Sequence, residues 1–89
     1  MFVKIFESGE AAPEEFEKLM PQMMGYLAEL KAAGKLKHSG PFADFSGGID
    51  ILEAETREEA EALAARDPFV VNKLGRYTLR EWSDMVDHL

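Results

Sequence analysis

The sequence predicts an α+β protein with a ferredoxin-like βαββαβ arrangement, a four-stranded antiparallel sheet with two helices on one face. Three observations point there. Short β-branched and aromatic runs fall at residues 2–6, 35–42, 49–55 and 76–82. A long stretch with apolar residues at helical spacing separates the first two runs, and an Ala-rich stretch opened by a capping signal separates the last two. The order strand, helix, strand, strand, helix, strand sets two strand–helix–strand units side by side.

Each element has a local cause. FVKIF, residues 2–6, is strand-forming and is broken by Ser8, Gly9 and Pro13. Beyond Pro13, residues Phe16, Leu19, Met20, Met23, Leu27 and Leu30 make one apolar stripe. Pro21 lies inside that stripe and predicts a kink, or a short helix followed by a main one with Pro21 in its first turn. Gly34 stops the helix. KLKHSGPF, residues 35–42, is a strand running into a Gly–Pro break, and ADFSGG is a loop. Gly47-Gly48 is read as a turn before the strand IDILEAE and not as a phosphate cradle, because no helix follows it. Thr56-Arg57-Glu58-Glu59 is a capping box for the helix that ends near Arg66. A further helical turn follows Pro68, and Arg76 to Trp82 alternates as the last strand. Ser83 caps a short tail helix at about 83–89, so residues 1–89 form one domain with a tail.

The chain has 89 residues, a net charge of −7, no cysteine and two histidines. That leaves no disulfide framework and no Cys-based metal site. Neither a metal nor another cofactor is expected. The negative charge repels nucleic-acid phosphates and anionic membranes, so neither is an expected partner. The amino-terminal run is too short for a signal peptide or a membrane span, which points to the cytoplasm.

Strand parity assigns the two sheet faces. The β-branched set Val3, Ile5, Ile49 and Ile51, with Leu79, is read as facing the helices. The opposite parity, Phe2, Lys4, Phe6, Asp50, Leu52, Thr78, Arg80 and Trp82, is then read as the open face. Its apolar row exceeds what a monomer usually leaves in water, so a homodimer through the open faces is expected. A monomer whose tail helix covers that face is the other arrangement.

These pieces resemble the YCII-related family: Leu27-x-x-Leu30-x-x-x-Gly34-x-Leu36, Ser39-Gly40-Pro41-Phe42-Ala43-Asp44, Gly47-Gly48 before a strand, Glu58-Glu59-Ala60, Asp67-Pro68-Phe69, and Trp82 at the end of the last strand. The resemblance spans nearly the whole chain. It implies pairing as a dimeric α+β barrel, a kinship with muconolactone isomerases, and a pocket served by a His–Asp pair. The Asp carries over to Asp67. The His does not, since the matching position on the first helix is Met23. That leaves His38, because His88 lies in the tail.

Asp67 has two compatible readings. Asp followed by Pro is a good N-cap, and a cap carboxylate can also face a pocket. His38 shares parity with Leu36, so it is read as pointing toward the helices, where a cleft would hold it beside Asp67. It is then either a proton-transfer imidazole oriented by Asp67 or a half-buried histidine bonded to backbone. By the same parity Ser39 points away, which argues against a serine nucleophile. Two functions follow. One is a small cofactor-free enzyme, isomerase- or lyase-like, moving a proton on a small cyclic or carboxylated metabolite with His38 and Asp67 as catalytic residues. The other is a non-catalytic dimeric module that binds a small molecule or assists another enzyme.

Overall fold

In the computed structural model, which describes residues 1–89, β1 (Phe2–Ser8) leads into α1 (Pro13–Ala32), β2 (Leu36–Pro41) and β3 (Gly47–Leu52). Then come α2 (Arg57–Ala65), the single turn α3 (Pro68–Val71), β4 (Gly75–Glu81) and a 3-10 turn (Met85–His88). The strands form one antiparallel sheet in the order β2-β3-β1-β4, with the helices on one face. Each long helix thus crosses over one intervening strand, the interlocked form of the predicted fold.

Two devices end and start the helices as the sequence implies. Gly34 adopts φ 72°, and Lys35 N–H reaches back to the Leu30 carbonyl at 2.8 Å, closing α1 in a Schellman-type turn. Thr56 Oγ1 accepts the Glu59 amide at 3.1 Å and starts α2. The expected break at Pro21 does not occur, and α1 is one continuous helix through it. Proline removes only its own amide, and Pro21 and Glu17, whose carbonyl would have received it, are both exposed to water. Gly47-Gly48 is not a turn but the start of β3. A Cβ on Gly47 would stand 1.9 Å from the Phe6 carbonyl oxygen, so the β1–β3 approach requires glycine there.

The face assignment is reversed on β1 and β3. Phe2, Lys4, Phe6 and Leu52 are buried under the helices, while Val3, Ile5 and Ile49 line the open face. The core joins Phe2, Leu52 and Leu79 of the sheet to Met23, Tyr26 and Leu30 of α1 and Ala60 and Ala64 of α2. Each large apolar side chain buried there contributes about 1.5–3 kcal/mol. The parity of β4 is as read, with Leu79 inward and Arg80 and Trp82 outward. Both parities of β1 carry apolar side chains, so pattern alone weighed Lys4 and Asp50 as evidence of a wet face. They are instead cross-strand partners in the ladder, and their opposite charges make burial together tolerable.

A bulge on β2 reverses a second assignment. Leu36 pairs with Leu52, but His38 pairs with Ile51, so Lys37 is an extra residue on this strand. Leu36 packs against the core, whereas His38 joins Ile51, Val3 and Arg80 on the open face. Ser39, opposite Asp50, takes the helix-bearing face. The tail does not cover the open face: Met85, Val86 and Leu89 are all largely exposed. A shallow groove of about 550 Å³ remains there, lined by Val3, Ile49, Ile51, Arg80, Glu81 and Trp82.

Candidate functional site

Lys4 sits at the middle of β1 with its ammonium under the helices and no exposure to solvent. Asp67 reaches it from the α2–α3 junction. The small residues Ala60 and Ala64 are fully buried, so α2 lies close on the sheet. The Asp67 amide continues the chain off Ala64 by donating to its carbonyl at 3.2 Å. Asp67 is 3% exposed and serves two purposes at once. Its Oδ1 accepts the Phe69 amide at 2.7 Å, which is the N-cap that Asp–Pro implies. Its Oδ2 accepts from Lys4 Nζ. A cap needs only the first of these.

The second partner of Lys4 is Asp50 on β3, at 3.2 Å from Nζ to Oδ2. Asp50 Oδ1 accepts the Ser39 hydroxyl of β2 at 2.6 Å. Ser39 is exposed, and the Asp50 side chain is 13% exposed. The chain Ser39–Asp50–Lys4–Asp67 therefore runs from solvent, across three adjacent strands, to the buried carboxylate. Aromatic rings close it in: the Lys4 ammonium lies 5.7 Å from the Tyr26 ring centroid and 6.0 Å from that of Tyr77. The Tyr26 hydroxyl donates to the Leu63 carbonyl at 2.6 Å. Burial, followed by the nearby charges of Asp67 and Asp50, holds this phenol above the ordinary tyrosine range. The Tyr77 phenol is raised as well, by burial first and then by its hydrogen bond to Glu61.

The structure does not bring the two sequence-derived site residues together. Asp67 is in the layer between helices and sheet, whereas His38 is exposed on the opposite face because of the Lys37 bulge. The cleft expected to hold both is absent within one chain. Ser39 takes the place read for His38. Met23, at the position where the family histidine is implied, is buried in the core. Lys4 and Asp50 were not among the residues read from sequence as functional. The available signal was their opposite charge at matching positions of FVKIF and IDIL, two strands of the same sheet. No group of three or more His, Cys, Asp or Glu side chains is placed to hold a metal ion.

A small α+β domain with one buried charged cluster between its sheet and helices is the class defined by this geometry. The chain belongs to the YCII-related domain family, whose model matches residues 1–84. It is 39% identical over 57 residues to the uncharacterised protein YjpA of Bacillus subtilis (strain 168), covering 64% of this chain and 67% of that one. Its fold matches that of TftG, the 5-chloro-2-hydroxyhydroquinone dehydrochlorinase of Burkholderia phenoliruptrix AC1100, solved in complex with 2,5-dihydroxybenzoquinone. The TM-score is 0.78 at 23% identity, over 93% of this chain and 94% of TftG, a likeness of fold.

Proposed function

We propose that this protein is a cofactor-free enzyme of isomerase or lyase type that moves a proton on a small cyclic or carboxylated metabolite. One observation carries the reading. Asp67 needs only one oxygen to cap α3, yet its other oxygen is held inside the protein against a lysine that no water reaches. Buried ions cost several kcal/mol each before their pairing offsets it, and a domain of 89 residues has on the order of 4–13 kcal/mol of stability in all. Two carboxylates held against one ammonium are suited to accepting a proton from a bound molecule. The likeness of fold to a dehydrochlorinase acting on a hydroxylated ring supports the same class of chemistry. The reading includes a homodimer through the open sheet face, supported by the incompletely covered Val3, Ile5, Ile49 and Trp82. The test is turnover of small lactones and hydroxylated or chlorinated rings, followed by NMR. Asp67→Asn keeps the cap and is expected to lower turnover at least tenfold. Turnover unchanged in this variant would sink the reading.

The second reading, a dimeric module that binds a small molecule without turning it over, is favoured by a different observation. Both Asp67 oxygens are already engaged, and neither imidazole of the chain is in the cluster. Binding of a panel compound with no turnover by the wild type selects it.

A further inference from the structure

The geometry points to Asp50, and not Asp67, as the carboxylate that meets the substrate, with Lys4 behind it and the Ser39 hydroxyl at the mouth. This rests on the enzyme reading above and assigns its working parts. Asp67 is nearly sealed, with one oxygen on the Phe69 amide and the other on Lys4. Asp50 shares the same ammonium but is the member of the cluster that water reaches, and its second oxygen is held only by the hydroxyl of an exposed serine. That hydroxyl is easily displaced, or joined, by a hydroxyl of a small molecule arriving at the β2 edge of the helix-bearing face.

The charges specify what such a molecule is. Two carboxylates and one ammonium leave the cluster with one negative charge in excess, in a protein of net charge −7. A molecule arriving as an anion is repelled, whereas a neutral donor, an enol or phenol hydroxyl or an activated C–H beside a carbonyl, meets an acceptor. The substrate class is therefore an uncharged small ring bearing a hydroxyl or carbonyl. In the step, the Asp50 carboxylate takes the proton from carbon, and the electron pair of the broken C–H bond moves into the ring carbonyl as an enolate. The Lys4 ammonium has no exposure and touches no reacting atom; it holds the Asp50 carboxylate in place from behind. Where a ring double bond is conjugated with that enolate, protonated Asp50 then returns the proton to the far carbon of the dienolate, the double bond shifts toward the carbonyl, and the isomerisation is complete with no co-reactant and the carboxylate restored. Asp67 is a positioning residue in this scheme, since it fixes Lys4 and touches no reacting atom.

The test follows hydrogen–deuterium exchange at the carbon next to the carbonyl of butenolides and 2-cyclohexenone by proton NMR, with catechol as a non-reacting probe of the mouth. The wild type is expected to catalyse exchange. Asp50→Asn should lose it by on the order of 10²-fold or more, and its amide oxygen still accepts from Lys4, so the fold is retained. Ser39→Ala removes the one hydroxyl that donates to Asp50 Oδ1 and should change both KM and kcat for exchange, whereas unchanged values for both overturn the mouth at Ser39. Catechol should shift the backbone amides of Ser39, Gly40 and Asp50. Exchange that survives in Asp50→Asn but falls in Asp67→Asn overturns the role of Asp50 and leaves the enzyme reading standing. A wild type that exchanges none of the panel overturns the enzyme reading itself. Catechol shifts confined to Val3, Ile49 and Trp82 place binding on the other face and overturn the mouth at Ser39.

Discussion

Lys4→Met removes one charge from the interior and keeps the volume of the side chain. Lys4 has no exposure and Asp67 only 3%, so the variant leaves the Asp67 carboxylate buried without its cation. Breaking a buried pair in this way costs about 3–5 kcal/mol. Asp50 adds little, because its side chain reaches water and keeps the Ser39 hydroxyl. The phenyl-ring contacts of Lys4 with Tyr26 and Tyr77 are lost too, but Met packs well against aromatic rings. The estimate is therefore about 3 kcal/mol, a quarter or more of everything a domain of this size has. With a urea m value near 1 kcal/mol/M, the midpoint should fall by about 3 M. Equilibrium urea unfolding, monitored by Trp82 fluorescence at one fixed protein concentration, reads this directly. The double variant Lys4→Met with Asp67→Asn should recover most of the loss, since Asn still caps α3 and no lone charge remains inside. A single-variant loss under about 1 kcal/mol, or no recovery in the double variant, would refute the account of a sealed ion pair.

Other expected outcomes test separate features. Asp67→Ala should be less stable than Asp67→Asn by about 1 kcal/mol in thermal melts, because Ala leaves the Phe69 amide without its acceptor. Tyr26 is protonated more tightly in the folded than in the unfolded chain, so its contribution is complete below the unfolded tyrosine range near pH 10 and is lost as pH rises through the higher folded value. The wild type should thus lose more stability than Tyr26→Phe above about pH 10, and an absorbance titration should show one phenol ionising late; equal alkaline losses would contradict this. Gly47→Ala should cost at least about 2 kcal/mol, because a Cβ at that site meets the Phe6 carbonyl oxygen and β1 and β3 must part. Ile49→Glu, on the open face, should convert a sedimenting dimer to monomer, and a wild type that sediments as a monomer at micromolar concentration would remove the homodimer from the proposed function.

The sequence alone determined the elements and their order, because those depend on neighbours a few residues apart. The apolar stripe from Phe16 to Leu30, the positive φ that only Gly34 takes readily, the Thr56 cap and the Asp67–Pro68 cap all act within one or two turns of chain. Two strand–helix–strand units then leave few topologies. Which face of each strand is buried was not decided locally. Phe2, Phe6 and Leu52 compete with Val3, Ile5 and Ile51 on nearly equal apolar terms, and the balance turned on Lys4 meeting Asp50 across the ladder and Asp67 from another element 63 residues away. One extra residue, Lys37, exchanged the sides of His38 and Ser39, and a bulge is a product of strand pairing that composition does not mark. Asp67 was therefore recognisable from sequence as a cap, while its buried partner Lys4 was not. A buried charge is tolerated only where its counter-charge arrives, and that position exists only once the sheet and the α2–α3 junction have packed together.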